Sequence, residues 1–194
     1  VVYVVNCAVC LMLYIKNLPA TFIKLLTAFR KFQRLAPGEK FTPKLVFHSG
    51  NKISTNYAVY PYMAGTKISD DESLTVSLPS VQGVAYRSFG LGANTMVAVT
   101  SSPDDYFLEF RNLCGYLVLK LYGTGTVGSI TLMGNNGEKL AGNASVVAEY
   151  GEDPQTTMSD TATDSITLDC GDGVGTGSSE SKATEFWFVL PPVT

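Results

Sequence analysis

Three glycines in the stretch LYGTGTVGSITL, Gly123, Gly125 and Gly128, have the spacing of the dinucleotide-binding motif G-x-G-x-x-G. That motif binds a pyrophosphate only when it ends a strand and opens a helix, because the phosphates lie at the helix N-terminus. Here the following residues, SITL, alternate between polar and apolar, which is the pattern of a strand. The sequence therefore predicts a loop between two strands over 123–128, with no nucleotide and no other cofactor.

Cysteine and histidine chemistry is poorly supported by the sequence. Cys7 and Cys10 form C-A-V-C, but a zinc site needs further ligands, and His48 is the only histidine of the chain. A redox pair needs an activated thiol at a helix start, whereas these cysteines lie in an apolar run. A single histidine and the absence of G-x-S-x-G also leave a hydrolytic triad incomplete. We therefore predict no catalytic residues and a protein that is not an enzyme.

Carboxylates occur at turns rather than in catalytic pairs. The acidic pairs at 70–71 and 104–105 stand among turn-forming residues, where solvated carboxylates are common. Asp169 and Asp172 in D-C-G-D-G resemble part of a calcium loop, although the full D-x-[DN]-x-[DN]-G spacing is not met. We expect no metal site, and a weak calcium site at these two residues stays open.

Aromatic side chains provide the remaining chemistry. Tyr60, Tyr62 and Trp187 form a candidate platform on which sugar rings would stack. Aromatic residues at a spacing of two also build the core and edges of a β-sandwich, so both interpretations stay open. Nucleic acid is not an expected partner, because the turn-rich part of the chain is acidic.

The elements that must position these residues differ along the chain. Residues 1–48 hold seven basic residues against one acid, and residues 49–194 hold seven against sixteen, which gives net charges of +6 and −9. Residues 1–40 form an apolar and basic leader with helical spacing in its second half. We leave two interpretations open for this leader, a membrane-proximal helix and a gene-model artefact.

From Phe41 to the end, short alternating segments between turn residues predict strands. The clearest is YLVLKLY, in which three leucines face one way. Asn136-Gly137 favours a type I′ turn, because both residues tolerate a positive φ, so we predict a hairpin over 129–150. At least seven strands and no convincing helix indicate an all-β, antiparallel β-sandwich over 41–194. Cys114 and Cys170 are expected in or beside strands, as two buried thiols in preference to a disulfide.

Several segments together resemble a known family, in an order and spacing that no single segment would establish. They are YAVYPY, LPSVQ, GANTMVAVTSS, FRNLCGYLVLKLYG, SITLMGNNGEKLAG, SITLDCGDGV and EFWFVLPP. The chain from Ser49 to Thr194 resembles the N-terminal lobe of fimbrillin-like surface lipoproteins of Gram-negative gut and oral anaerobes. The opening lacks a recognisable lipoprotein signal, and we expect a second lobe to follow LPPVT.

This resemblance implies a transthyretin-like β-sandwich lobe in a protein exported to the outer membrane and cell surface, and held there by a lipid anchor. It also implies assembly with other fimbrial subunits into a fimbrium by strand exchange, in which an open sheet edge accepts a strand from another chain. The expected function is structural or adhesive. The alternative is a surface lipoprotein that binds host or dietary glycans.

Two tripeptides also resemble the O-glycosylation sequon of exported proteins from such bacteria. They are Asp160-Thr161-Ala162 and Asp164-Ser165-Ile166, which stand in a polar stretch between predicted strands. Thr161 and Ser165 are therefore candidate glycosylation sites.

Overall fold

A computed structural model of the chain describes residues 12–14, 55–61, 63–68, 73–102, 104–105 and 107–192, with the backbone alone for 12–14. The predictions at Cys7, Cys10, His48, Tyr62 and the acidic pair 70–71 lie outside these residues.

The described chain is all-β, as the alternating sequence predicts, with fourteen strands and one 3₁₀ turn at Glu180–Lys182. The strands are β1 (Met12–Tyr14), β2 (Tyr57–Tyr60), β3 (Lys67–Ile68), β4 (Leu74–Leu78), β5 (Val81–Ala85), β6 (Ser88–Phe89), β7 (Met96–Val99), β8 (Arg111–Asn112), β9 (Gly115–Leu121), β10 (Thr126–Met133), β11 (Gly142–Val147), β12 (Gln155–Met158), β13 (Ser165–Gly175) and β14 (Thr184–Leu190).

The chain divides into two compact units. The first comprises residues 1–62, 97–111 and 148–153, and the second comprises residues 63–96, 112–147 and 154–194. A sheet in the order β1-β2-β7-β8 lies mainly in the first unit. Its strand β1 falls inside the segment predicted as a leader and pairs antiparallel with β2. The assignment of all forty residues as a separate leader stays a prediction.

A buried polar contact fixes the connection after β7 in the first unit. The hydroxyl oxygen of Thr100, which is fully buried, accepts a hydrogen bond of 2.8 Å from the backbone N–H of Asn56. Asp105 accepts hydrogen bonds from the N–H and hydroxyl of Ser101 and from the N–H of Phe107. These contacts confirm that Asp105 forms a turn, and they hold the pKa of its carboxyl below the usual value, with the Ser101 hydroxyl as the largest cause.

The second unit contains a four-stranded sheet in the order β12-β11-β4-β3. Strands β4 and β11 of this sheet bury every second residue, because successive side chains of a strand point to opposite faces. In β4 these are Leu74, Val76 and Leu78, and in β11 they are Ala144 and Val146.

A second core in the same unit joins two further sheets. One has the order β10-β13-β5-β6, and the other pairs β14 with β9. Phe186 and Phe188 of β14 are fully buried and pack in one cluster with Ile166 and Leu168 of β13. Leu117, Leu119 and Leu121 of β9, the strand paired with β14, pack against this cluster. This confirms the prediction that they face inward. That the whole 41–194 region forms a β-sandwich stays a prediction.

The strand pairing corrects three details of the sequence interpretation. The predicted hairpin over 129–150 is wrong, because β10 pairs with β13 whereas β11 pairs with β4 and β12. The predicted loop over 123–128 is shorter, because Gly128 lies inside β10 at a shift in register. One pairing, β13 with β5, is parallel, where an antiparallel sandwich was expected.

Candidate functional site

The outer face of the β14–β9 pair carries a group of aromatic side chains. Because Phe186 and Phe188 point into the core, Trp187 between them points outward. Its ring meets that of Tyr116 edge to face at a centroid distance of 6.3 Å, and Tyr116 stacks on Phe89 at 5.2 Å with the planes 1° apart. We call Phe89, Tyr116 and Trp187 the aromatic face. Partly exposed stacked rings of this kind suit contact with the apolar side of a sugar.

An acidic side chain is fixed beside the aromatic face. Glu185 accepts a hydrogen bond of 3.2 Å from the indole N–H of Trp187 and forms an ion pair of 3.2 Å with Lys120. The hydrogen bond from Lys120 is the largest cause that lowers the pKa of Glu185, followed by that from Trp187. Glu185 is thus a carboxylate at neutral pH and holds the indole in one orientation.

The pKa of the Tyr116 hydroxyl is shifted in the opposite direction, above its usual value. Burial is the largest cause that raises its pKa, the Cys114 side chain adds to the shift, and a hydrogen bond with Asn94 opposes it. Tyr116 therefore stays neutral at physiological pH and is able to donate a hydrogen bond while its ring, 43% exposed, stacks on Phe89.

Strand β9 presents one edge of its backbone without a strand partner among the described residues. The Val189 N–H and C=O of β14 are bonded at 2.9 and 2.8 Å to the side-chain amide of Gln82, on the edge away from β9. The pair Val189–Tyr116 is therefore of the non-hydrogen-bonded type, so the main-chain groups of Tyr116 point away from β14 as well. By the same alternation, the main-chain N–H and C=O groups of Val118 and Lys120 also point away from β14. We call this row of three residues the β9 edge.

Two of the three residues of the predicted sugar platform fall in the described chain, one in each unit. Tyr60 is half-buried at the end of β2 in the first unit, and Trp187 is half-buried in the second unit. Tyr62 lies outside the described residues. The ring that Trp187 does contact, Tyr116, and Phe89, which stacks on Tyr116, were missed by sequence reasoning. The alternation in YLVLKLY was a usable signal, since it places Tyr116 on the face opposite the leucines.

The two candidate glycosylation sites lie in different surroundings. Thr161 is exposed in a turn, where its hydroxyl lies 3.0 Å from that of Ser159. Ser165 begins β13, is half-buried, and its hydroxyl lies 3.2 Å from that of Thr163. Thr161 is the more accessible acceptor.

The remaining candidate residues for chemistry are Asp169, Cys114 and Cys170. Asp169 accepts a hydrogen bond from the N–H of Gly171, and within the described residues no group of three or more His, Cys, Asp or Glu side chains converges to hold a metal. Cys114 and Cys170 are free thiols, half-buried and buried respectively. Burial raises the pKa of Cys114 to about 12, so this thiol is protonated and unreactive at neutral pH.

Comparisons with protein-family models, with curated proteins and with solved structures find no match to this chain. Across the described residues no helix has the length and apolar character needed to cross a membrane. The features that bear on function are therefore the aromatic face, the β9 edge and the sequence resemblance.

Proposed function

We propose that the protein is a non-catalytic structural or adhesive subunit of a cell-surface fimbrium, which assembles with other subunits by β-strand exchange. The β9 edge is the observation that carries this proposal. An edge strand offers unpaired N–H and C=O groups, and a strand from another subunit pairs with them through main-chain hydrogen bonds. Export and a lipid anchor at the outer membrane are part of the proposal and derive from the resemblance to fimbrillin-like lipoproteins.

The side chains of β9 set what an added strand would need. On the inner face, its alternate residues would extend the apolar row of Leu117 and Leu119. On the outer face, they would stand beside Tyr116 and Val118, where aromatic or β-branched residues make favourable cross-strand pairs. The incoming strand therefore should alternate large apolar residues with aromatic or β-branched ones.

Strand β10 is the other long edge strand, and it is the weaker candidate acceptor. Its register with β13 shifts between Val127 and Ser129. Such an irregularity twists an edge and interrupts the regular spacing of its hydrogen-bonding groups. The pairing of β9 with β14 is continuous over seven residues, which leaves the β9 edge regular.

A single proline at the edge tests strand exchange. Val118→Pro removes one outward N–H and leaves the β14 hydrogen bonds intact, because proline is tolerated on an edge strand with its nitrogen facing solvent. Val118→Thr is the matched control, since it keeps the N–H and the β-branched shape. We expect the wild-type protein and the control to form concentration-dependent oligomers or fibres, and Val118→Pro to stay monomeric at an unchanged melting temperature. Light scattering and electron microscopy of cells carrying each form are the measurements.

Strand exchange at this edge is contradicted if Val118→Pro assembles as well as the wild type. A processed wild-type protein that stays monomeric, with no fibres on the cells that carry it, contradicts the fimbrial function itself.

The aromatic face supports a second candidate function, glycan binding at the cell surface. Its three rings are held by stacking and by the bond from Trp187 to Glu185. Calorimetry against a polysaccharide panel tests this function, with Trp187→Ala expected to abolish binding. A panel without any binder contradicts it.

A further inference from the structure

A pocket of about 460 Å³ lies beside the Glu185 carboxylate in the second unit. Apolar Val84 and Val174 contribute to its lining, together with Tyr86 and Arg87 from one side and Lys182 from the other. Its volume is in the range of small-ligand sites. A pocket that combines apolar, aromatic and cationic groups is suited to a ligand that has an apolar ring face and an anionic group.

Tyr86 and Arg87 form the two-residue tip of the β5–β6 hairpin. Arg87 adopts a φ of 51°, a left-handed conformation that is costly for a side chain of its kind. Its guanidinium carbon lies 5.3 Å from the centroid of the Tyr86 ring, which is a cation–π contact. The backbone approaches itself closely at the base of this hairpin. A Cβ at Gly90, just after β6, would collide with the carbonyl oxygen of Gly83 in β5.

The pocket has an excess of positive charge although the protein as a whole is acidic, with a net charge of −3. The one carboxylate that lines it, Glu185, forms an ion pair with Lys120, accepts a hydrogen bond from the Trp187 N–H and also interacts electrostatically with Arg87. Arg87 and Lys182 make no ion pair within the described part of the chain. Two cations line the pocket against one carboxylate that Lys120 also pairs, and this positive balance favours an anionic ligand.

We infer that this pocket binds a sugar that bears an acidic group, a uronic acid being the simplest example. The pyranose ring would stack on Tyr86 and rest on the valines, and its carboxylate would bind between Arg87 and Lys182. Guanidinium groups bind carboxylates through paired N–H donors, so Arg87 is the specificity-determining residue. This inference takes its ligand class from the glycan-binding alternative and is independent of strand exchange.

Calorimetry of the full chain with a galacturonic acid trisaccharide tests the inference, with the corresponding neutral galactose trisaccharide as comparison. Arg87→Asn removes the guanidinium, and asparagine tolerates the left-handed backbone at this position. Lys182→Gln removes the second cation. Lys67→Gln, at an exposed lysine on β3, is the matched control. Circular dichroism melts verify that each variant is folded, and Lys182→Gln alone decides the matter if Arg87→Asn unfolds.

We expect the acidic trisaccharide to bind at least tenfold more tightly than the neutral one, and each pocket variant to weaken it at least tenfold while the control does not. Higher salt should also weaken binding, since the ion pairs are at the surface. The inference is overturned if neither sugar binds at about 10 mM, a level at which even very weak sites are detected. It is equally overturned if both pocket variants bind as the wild type does, or if inorganic sulfate competes as well as the trisaccharide. Binding of the neutral sugar alone, lost in Trp187→Ala, overturns the acidic pocket and leaves the glycan-binding function standing.

Discussion

The side-chain amide of Gln82 replaces a neighbouring strand for Val189. Its nitrogen donates to the Val189 carbonyl at 2.8 Å, and its oxygen accepts from the Val189 N–H at 2.9 Å, with Gln82 only 3% exposed. Both main-chain groups of Val189 are thus satisfied on the edge of β14 that faces β5. The opposite edge of the pair, on β9, has no such cover among the described residues, and this asymmetry leaves β9 as the edge open to a partner.

Substitution of Gln82 should destabilise the second unit. Gln82→Leu removes both hydrogen bonds and leaves the Val189 N–H and C=O buried without partners, which costs about 1–3 kcal/mol for each group. Gln82→Glu keeps an acceptor for the N–H but loses the donor to the carbonyl, and it also buries a charge. Urea unfolding should give a lower midpoint for both variants. An unchanged midpoint for Gln82→Leu would show that water replaces the amide without cost.

The alternation of apolar residues was sufficient to predict which side chains of β4, β9 and β14 face inward, because a strand fixes that choice locally. Pairing was not predictable in the same way. The type I′ turn expected at Asn136-Gly137 requires a positive φ at both residues, and of the two only Gly137 has one, at +87°. The flanking strands pair with β13 and β4, since pairing depends on partners that are distant in sequence.

The same holds for the candidate site: its residue types could be read from the sequence, but which side chains meet could not. Trp187 was identified from its residue type, whereas Tyr116 becomes its neighbour, and Phe89 the neighbour of Tyr116, only through the register of β14 with β9 and the position of β6. The Tyr86–Arg87 pocket had no sequence signal, because a left-handed arginine has none of the glycine or asparagine marks of a tight turn.

Core and outer-face aromatic residues of β14 should differ in their effect on stability. Phe186 is fully buried, so Phe186→Ala should lower the free energy of unfolding by about 3–5 kcal/mol. Trp187 points outward, so Trp187→Ala should cost less: it loses the edge-to-face contact, about 0.5–1.5 kcal/mol, the partly exposed hydrogen bond to Glu185 and some buried area. Denaturant titration of the two variants measures the difference. Equal losses would contradict the assignment of inner and outer faces.

The Cys114 thiol should make the protein sensitive to alkaline pH. Its pKa is raised from 9.0 to about 12 in the folded state, chiefly by burial. The stabilising contribution is therefore complete below pH 9 and is lost as the pH rises from 9 toward 12, because only the unfolded thiol ionises there, at up to about 1.4 kcal/mol per pH unit. Unfolding of the wild type and of Cys114→Ala between neutral and alkaline pH should show a shallower decline in the variant. Parallel declines would mean that the thiol ionises equally in both states.

Glycosylation at Thr161 and Ser165 is tested by mass. Because Thr161 is exposed in a turn, we expect protein isolated from its native cells to be heavier than the bare polypeptide. Thr161→Ala should remove more of that extra mass than Ser165→Ala, since Ser165 is half-buried. A native mass equal to that of the polypeptide would exclude modification at both sites.

Removal of residues 1–40 should leave the second unit folded. The described contact of this segment is the pairing of Met12–Tyr14 with β2, which covers three residues and lies in the first unit. Its loss turns β2 into an edge strand among the described strands and should loosen the β1-β2-β7-β8 sheet, whereas the described members of the core around Phe186 and Leu168 all come from later in the chain. We therefore expect the 41–194 form to be soluble, with β-type circular dichroism and a cooperative melt. Hydrogen exchange of 1–194 and 41–194 at equal concentration should differ at β2 and agree at β13 and β14. An aggregated 41–194 form beside a folded full chain would show that the apolar segment covers more than one edge, since apolar burial at about 25 cal/mol per Å² readily reaches the 5–15 kcal/mol that holds a domain together.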